Sequence, residues 1–265
     1  MTKIIGIFLV RNEDRFVEQA IRNVMEFCDQ ILLVDHGSSD GTVEILRSFQ
    51  ESDSQKFSLH QITHPRESHE LLKQFAGTST WVFGVDGDEI YDPERLRGFR
   101  LRLFSGEFNS YWMILGNVLH VDQLDQKKET ASGYLAPPSR SITKLYNFSA
   151  IASWNGNTLE RLHGGDPQFR EGFHGQKKRL LQDEYGWNDA PLRCLHLCFI
   201  PRSSNYLSKV RKNIMETYSG GKIKGMRRFF RSFLNKFFGV SDVSSWKQQH
   251  YARGEYQTID ATPFF

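Results

Sequence analysis

Three carboxylates stand together where an apolar run of the chain ends. Asp86, Asp88 and Glu89 closely follow residues 81–85, whose apolar side chains around one glycine are typical of a buried parallel strand. Ligands of open α/β sheets bind beyond the carboxyl ends of the strands, so this tip would face a ligand. Asp86 and Asp88 share one face of an extended segment, and two close carboxylates repel unless a proton or cation lies between them. Carboxylate oxygens suit Mg²⁺ or Mn²⁺; the alternative is an acidic turn that is merely solvated.

Two strand-loop-helix units precede this acidic tip. Residues 3–10 and 30–35 are nearly unbroken apolar runs, and each is followed by a polar loop and then by apolar residues at helical spacing. In the loop 36–42, glycine permits close backbone approach, and Asp35 before it can accept a hydrogen bond from a base or ribose. The pattern suits a nucleotide-binding loop; taken alone, an ordinary capped strand-to-helix connection is the commoner alternative.

Two basic residues follow this unit. A third strand over residues 58–62 and a helix over residues 68–76 would place Arg66 and Lys73 between the loop and the acidic tip. Either side chain could reach a diphosphate there. A solvated basic side chain is the commoner alternative.

The later part of the chain is predicted to extend the sheet. Further strands are expected over residues 111–118, 141–147 and 194–200, the last of which carries His196. The stretch 122–133, rich in Gln and Lys, is predicted to be an exposed loop. Residues 154–166 are polar, aromatic and glycine-bearing, which indicates a loop of the site.

Composition limits the class of protein. The chain has 265 residues, of which 39% are hydrophobic and 25% charged, and its net charge of +3 is too small to indicate nucleic acid binding. No stretch approaches the roughly 18 consecutive apolar residues of a membrane span, and no cleavable signal pattern precedes the first strand, so a cytoplasmic protein is expected. Three cysteines are too few for a disulfide framework. We expect an α/β domain over residues 1–215 and a helical, basic and aromatic extension over residues 216–265.

In their order and spacing these motifs resemble a known family. Arg11-Asn12-Glu13, the stretch 34–42 and the stretch 81–89 together resemble family-2 glycosyltransferases of the GT-A fold, near the bacterial lipopolysaccharide-core glucosyltransferase-like branch. The resemblance implies a Rossmann-type, mostly parallel sheet flanked by helices. It also implies an inverting enzyme of cell-envelope polysaccharide biosynthesis, with a nucleoside-diphosphate sugar as donor, Mn²⁺ or Mg²⁺ as cofactor, and a saccharide or lipid-linked hydroxyl as acceptor.

The resemblance also assigns roles to residues. It implies that Asp35 contacts the nucleotide base, that Asp86 and Asp88 bind ribose and metal, and that His196 completes the metal site. The predicted donor-binding set is Asn12, Glu13, Asp35, Ser38, Asp40, Arg66, Lys73, Asp86 and Gly87, and the predicted metal ligands are Asp86, Asp88 and His196. For His196 the alternative is a hydrogen-bonded core histidine between two buried thiols. A zinc site on the face shared by Cys194, His196 and Cys198 is less expected, because the paired spacing of structural zinc sites is missing.

The catalytic base is the least defined assignment. A base must deprotonate the acceptor hydroxyl, and Glu160 matches the glutamate that related sequences carry after a histidine. Here Leu159 stands in place of that histidine. Asp166, Asp183 and Glu184 therefore remain alternative bases.

Residues 222–239 form a separate motif, with six basic residues, five phenylalanines and no acid. On a helix the apolar residues form one stripe, and the basic residues lie largely off it. Such a helix could lie at an anionic membrane surface, which would place the protein peripherally at the inner membrane face and suit a lipid-linked acceptor. The commoner alternative is packing of the stripe on the domain or on a second subunit of a homodimer.

Two other functions compete with glycosyl transfer. A sugar-nucleotide nucleotidyltransferase shares the α/β nucleotide architecture, but it usually has a Gly-rich basic phosphate loop near the N-terminus, which Arg11-Asn12-Glu13-Asp14 is not. A catalytically silent module that keeps the fold and docks a partner through its C-terminal region is the other alternative.

Overall fold

The computed structural model describes residues 1–138, 144–156, 162, 165–205 and 245–265. Within these ranges the chain forms both helices and strands. The helices are α1 (Val17–Val24), α2 (Thr42–Ser52), α3 (Ser68–Lys73), α4 (Pro93–Phe104) and α5 (Ser245–Tyr251). The strands are β1 (Lys3–Val10), β2 (Gln30–Asp35), β3 (Phe57–Gln61), β4 (Thr80–Val85), β5 (Glu89–Tyr91), β6 (Met113–Leu115), β7 (Asn117–Asp125), β8 (Thr130–Leu135), β9 (Lys144–Asn147), β10 (Ile151–Gly156), β11 (Gly165–Phe169), β12 (Lys178–Leu180), β13 (Arg193–His196) and β14 (Tyr256–Asp260).

A seven-stranded sheet forms the centre of the fold, in the order β12-β6-β9-β4-β1-β2-β3. β1 pairs in parallel with β2 and with β4, and β2 pairs in parallel with β3. Within this sheet β9 runs antiparallel to both of its neighbours. The structure therefore confirms the predicted α/β class with a mostly parallel central sheet.

The apolar first strand is explained by burial on both faces. Ile7 and Leu9 of β1 belong to one hydrophobic cluster, whereas Phe8 and Val10 belong to the other. Successive side chains of a strand point to opposite faces, so a strand covered on both sides needs apolar residues at nearly every position. This is why the sequence run 3–10 predicted a parallel strand correctly.

A second sheet of five strands, in the order β14-β8-β7-β13-β5, corrects one prediction. The stretch 122–133 is not an exposed loop, because β7 continues to Asp125 and pairs with β8 in an antiparallel hairpin. An antiparallel sheet can keep polar side chains on a solvated face, so its hydrophilic composition was mistaken for a loop. The predicted strand 111–118 is likewise divided into β6 and β7.

The C-terminal extension is not confirmed as helical. Of residues 216–265 the structure describes 245–265, which contain the short helix α5 and the strand β14, paired antiparallel with β8. The basic and aromatic segment 222–239 lies outside the described residues, and the domain boundary at residue 215 stays a prediction. No helix among the described residues is long and apolar enough to cross a membrane.

Candidate active site

The candidate site lies at the carboxyl edge of the parallel strands. Asn12 and Glu13 follow the end of β1, Asp35 is the last residue of β2, and Asp86 follows the end of β4. These strands are parallel neighbours, so their carboxyl ends meet at one edge of the sheet. The structure thus brings the sequence motifs to the same edge, as predicted from their positions after apolar runs.

Asp35 is buried and organises the loop that follows it. One of its oxygens, Oδ2, accepts a hydrogen bond from the backbone N–H of Gly37 at 3.0 Å, and both oxygens lie within 3.3 Å of the Ser38 N–H. Gly37 has a φ of +69°, a conformation that glycine adopts without strain. Asp35 therefore shapes the loop that follows β2.

Asn12 ties the end of β1 to the same loop. Its backbone N–H donates to Ser38 Oγ at 3.0 Å, and its side-chain Oδ1 accepts from the Ser39 N–H at 2.7 Å. Asn12 has a φ of +54°, and asparagine is among the few residues other than glycine that adopt this left-handed conformation readily. The predicted donor residues Asn12 and Ser38 are therefore in direct contact.

Asp40 closes the loop onto two elements. Its Oδ1 accepts from the backbone N–H and the hydroxyl of Thr42 at the start of α2, at 3.0 and 2.5 Å. Its Oδ2 accepts from the Ser203 hydroxyl at 2.5 Å. Asp40 thus connects the loop to the segment that follows β13, a contact the sequence did not indicate.

The acidic tip has two different environments. Asp86 is half-buried, whereas Asp88 is 1% exposed. A Cβ on the intervening Gly87 would lie 2.2 Å from Oε2 at the end of the Glu13 side chain, so that side chain would have to move. Glycine at this position therefore leaves room for the Glu13 carboxylate beside the acidic tip.

Arg202 lies between Glu13 and Asp88. Its Nη1 is 2.9 Å from Glu13 Oε1 and 2.7 Å from Asp88 Oδ2, and all three side chains are at least 90% buried. Burial raises the pKa of Asp88, but the positive charges of Arg202 and nearby groups outweigh it, so this pKa lies below its ordinary value. Asp88 is ionised at neutral pH.

His196 lies beside Asp88, as the metal-site prediction requires. Its Nε2 is 3.7 Å from Asp88 Oδ2, and its Nδ1 is within hydrogen-bond distance of His120 Nδ1 at 3.0 Å. His120 stands opposite His196 because β7 and β13 pair in parallel register. Burial holds the pKa of His196 well below its usual range, so the imidazole is neutral and one of its two ring nitrogens is unprotonated.

The predicted strand 194–200 ends earlier than expected. β13 stops at His196, so Cys198 lies beyond the strand and the predicted alternation of Cys194, His196 and Cys198 on one strand face is wrong. The backbone N–H of Leu197 instead donates to Asp88 O at 2.9 Å, which turns the chain toward the acidic tip. An apolar run continues past the strand because Leu197 and Cys198 remain buried in the turn.

His196 also belongs to a group of three side chains of the types that bind metal ions. One ring nitrogen each of His120 and His196 and the sulfur of Cys198 lie within 4.8 Å of one another. Lys247 of α5 donates a hydrogen bond to the backbone oxygen of Cys198, so an ammonium charge lies beside this group. Such a charge opposes the binding of a further cation there.

Arg66 and Lys73 lie on the surface. The Lys73 ammonium is 2.7 Å from Glu70 Oε1 on α3, and the Arg66 side chain is exposed. Their contact with a diphosphate stays a prediction.

The described residues show no contact between a candidate base and the acidic tip. Glu160 lies outside the described residues, Asp166 is exposed on β11, and Glu184 is paired with Arg179 at 2.7 Å. Asp183 is exposed in a turn after β12. The predicted site loop 154–166 is in part the antiparallel pair of β10 and β11. Trp154 of β10 is buried in a hydrophobic cluster.

Sequence reasoning missed Arg202, His120 and Lys247. Arg202 contacts Asp88, Lys247 lies within electrostatic range of it, and His120 contacts its neighbour His196. No local spacing in the sequence relates any of the three to Asp88. The sole local signal was the position of Arg202, which follows the apolar run 194–200 that carries His196.

Comparison with known proteins gives consistent matches. The family model described as glycosyl transferase family 2 matches residues 7–171, which is more than half of the chain. An uncharacterized glycosyltransferase of Rickettsia conorii is 26% identical over 258 residues, a match that covers 92% of this chain and 83% of the relative. Another from Rickettsia felis is 22% identical over 253 residues, with 90% of this chain and 81% of the relative covered.

Two solved structures are similar to part of the chain. A mannosyltransferase from Pyrobaculum calidifontis, in complex with GDP-Man and Mn²⁺, has a TM-score of 0.31 at 17% identity, with 46% of this chain and 36% of that chain covered. Glucosyl-3-phosphoglycerate synthase from Mycobacterium tuberculosis, in complex with Mn²⁺, UDP and glucosyl-3-phosphoglycerate, has a TM-score of 0.33 at 18% identity, with coverage of 45% and 44%.

Proposed function

The chain belongs to glycosyl transferase family 2, and on that premise we propose that it transfers a sugar from a nucleoside-diphosphate sugar to a hydroxyl acceptor with a divalent cation. Membership confirms the predicted glycosyltransferase and accords with the GT-A-like α/β fold. The observation that carries the finer proposal is the arrangement of Asp35, Asp86 and Asp88 at one edge of the parallel sheet.

The donor nucleotide is proposed to bind over the loop 36–42. Asp35 lies at the end of β2 with its carboxylate already oriented by the N–H groups of Gly37 and Ser38. An oriented carboxylate can accept a hydrogen bond from a base or ribose without losing side-chain freedom on binding. The contacts of Asn12 with Ser38 and Ser39 keep the loop in place for this purpose.

The residues present fit a divalent cation at the acidic tip. Asp88 Oδ1 is buried and has no hydrogen-bond partner among the described residues, so an ionised oxygen lacks the partner that burial ordinarily demands. Asp86, Asp88 and the Nε2 of His196 are the proposed ligands. When bound, the cation would stabilise the negative charge that develops on the departing diphosphate.

The acceptor reaction is proposed to be a direct, inverting displacement with one base. In such a displacement one carboxylate takes the proton of the acceptor hydroxyl, and no covalent intermediate is needed. Glu160 is the proposed base. The acceptor is proposed to be a saccharide or lipid-linked saccharide, and residues 222–239 would provide peripheral membrane contact; both proposals rest on the sequence.

The donor proposal predicts a loss of nucleotide affinity on Asp35→Asn. The amide keeps one oxygen for the loop N–H groups but loses the negative charge, so we expect nucleoside diphosphate binding to weaken about tenfold, the loss of roughly one charge-assisted hydrogen bond. Calorimetry with UDP, GDP, CDP, dTDP and ADP in the presence of Mn²⁺ measures it.

The matched control is Asp53→Asn. Asp53 accepts from the backbone N–H groups of Gln55 and Lys56 after α2, on a different part of the surface. Unchanged affinity in Asp35→Asn would remove Asp35 from the nucleotide site, and failure of the wild-type protein to bind any of the five diphosphates would contradict the donor proposal itself.

The base assignment predicts a separation of transfer from donor binding in Glu160→Gln. Because the amide cannot accept the acceptor proton, transfer should fall about a hundredfold or more while donor affinity stays within twofold. Product formation and calorimetry on the same protein measure the two effects. Glu171→Gln, a change at an exposed site, is the control. Normal transfer by Glu160→Gln would move the assignment to Asp166, Asp183 or Glu184.

A further inference from the structure

The buried guanidinium of Arg202 lies between the acidic tip and the residues that follow the first strand. Arg202 Nη1 contacts Glu13 Oε1 and Asp88 Oδ2 at 2.9 and 2.7 Å, and the side chain is 8% exposed. An arginine buried to this extent is normally compensated at each of its donor groups. Here Nη2 has no hydrogen-bond partner among the described residues. The guanidinium is thus anchored to two carboxylates on one side and has hydrogen-bonding capacity left on another.

A second positive charge lies close by. Lys247 of α5 is within electrostatic range of Asp88, Glu13 and Arg202, and burial together with the charge of Arg202 lowers its pKa. Arg202 keeps its proton in any case, because guanidinium groups do not lose it in proteins. Asp88 is therefore faced by positive charge before any ligand arrives.

This arrangement bears on how a divalent cation could bind. A cation that approached Asp88 alone would meet the guanidinium at short range in a region sheltered from water, where like charges repel strongly. The diphosphate of a donor carries negative charge that offsets this repulsion. The Nη2 group is buried and has no hydrogen-bond partner among the described residues, and phosphate oxygens are partners that guanidinium groups favour.

The backbone around Arg202 links the tip to the nucleotide loop. The carbonyl of Arg202 accepts from the Arg15 N–H, the Ser203 hydroxyl donates to Asp40, and the Asn205 side chain donates to the Ser39 carbonyl. Arg202 is therefore held on the same scaffold as the loop proposed to bind the nucleotide. The family match ends at residue 171, so this segment is a feature of the chain beyond the matched region.

We propose that Arg202 is a built-in counter-cation, a positioning residue that keeps the acidic tip from taking a divalent cation alone and makes cation binding depend on the nucleoside diphosphate. The proposal rests on the proposed function for the identity of the donor. Its physical basis is competition between the guanidinium and the cation for the ionised carboxylate of Asp88. In this role Arg202 makes the cation bind together with the diphosphate and not before it.

The test measures Mn²⁺ binding directly, without turnover. Free Mn²⁺ is quantified by electron paramagnetic resonance during titration of the full chain, with Mn²⁺ alone and with UDP, GDP, CDP, dTDP or ADP. For the wild type we expect Mn²⁺ to bind at least about tenfold more tightly with the preferred diphosphate than alone. For Arg202→Gln and Arg202→Met we expect Mn²⁺ alone to bind about tenfold more tightly than to the wild type, and the effect of the diphosphate to shrink accordingly.

Two further variants make the result specific. Arg15→Gln removes an exposed positive charge whose guanidinium donates to the Pro201 carbonyl in the same segment, and it should leave Mn²⁺ affinity unchanged. Arg202→Lys keeps the charge on a shorter side chain, so its Mn²⁺ affinity should lie between those of the wild type and the neutral variants. It is the deciding variant if circular dichroism shows that neither neutral variant folds.

The outcomes separate the two proposals. If the folded Arg202 variants bind Mn²⁺ alone no more tightly than the wild type, Arg202 is not a counter-cation, whatever the donor is. If the wild type takes up no Mn²⁺ with any of the five diphosphates, the proposed metal-dependent donor function fails. The role of Arg202 is still tested in that case, because the Mn²⁺ affinities of the variants and the wild type are also compared without a diphosphate.

Discussion

Replacing Asp88 by asparagine is expected to lower cation-dependent sugar transfer by about a hundredfold or more. A neutral amide is a poorer ligand for a hard cation, and Lewis-acid stabilisation of a leaving group is worth several kcal/mol, with about 1.4 kcal/mol for each factor of ten. The substitution keeps the size of the side chain, and Arg202 keeps its contact with Glu13 at 2.9 Å. The protein should therefore remain folded, and the loss should appear in kcat/KM measured across a range of Mn²⁺ concentrations.

The control for this experiment is again Asp53→Asn, which removes a carboxylate from a different part of the surface. Circular dichroism of Asp88→Asn separates loss of chemistry from loss of fold. Near wild-type turnover of the folded Asp88→Asn protein in Mn²⁺ or Mg²⁺ would show that the acidic tip does not hold the cation.

Removal of the Asp92 carboxylate is expected to destabilise the fold by about 3–5 kcal/mol, since it leaves a buried arginine without its partner. Asp92 Oδ2 accepts from Arg193 Nε and Nη2 at 3.0 and 2.7 Å, and both residues are buried. Its Oδ1 accepts from the N–H groups of Glu94 and Arg95 and so caps α4, a contact worth about 0.5–2 kcal/mol by itself. Urea unfolding of Asp92→Ala measures the loss.

Glu18→Ala is the matched control for that prediction. Glu18 pairs with Arg22 at 2.7 Å, but both side chains are more than half exposed, and such a helical pair contributes about 0.3–0.5 kcal/mol. If Asp92→Ala cost no more than Glu18→Ala, the buried pair would not hold the second sheet against α4. The pair also matters to the site, because Arg193 begins the strand that ends at His196.

Local pattern was sufficient where a segment is covered on both faces. The runs 3–10, 30–35 and 81–85 predicted β1, β2 and β4 correctly, because burial on both sides leaves little choice of side chain. Their polar continuations then had to lie at the carboxyl edge of the sheet. The placement of Asp35 and Asp86 at one edge therefore followed from the sequence.

Local pattern failed where the same composition suits two structures. The Gln- and Lys-rich stretch 122–133 is a hairpin, because one face of the second sheet tolerates polar residues. The apolar run from residue 194 continues beyond β13, because a buried turn needs apolar side chains as much as a strand does.

The sequence by itself determined the parallel sheet, the loop after β2 and the acidic tip, because each depends on residues that are adjacent in the chain. Only the tertiary structure decided what surrounds Asp88. His120 meets His196 through strand register, and Arg202 meets Asp88 and Glu13 because the chain turns back after β13. Electrostatic interactions depend on distance in space, and no periodicity in the sequence encodes the distance between a guanidinium and a carboxylate from separate segments.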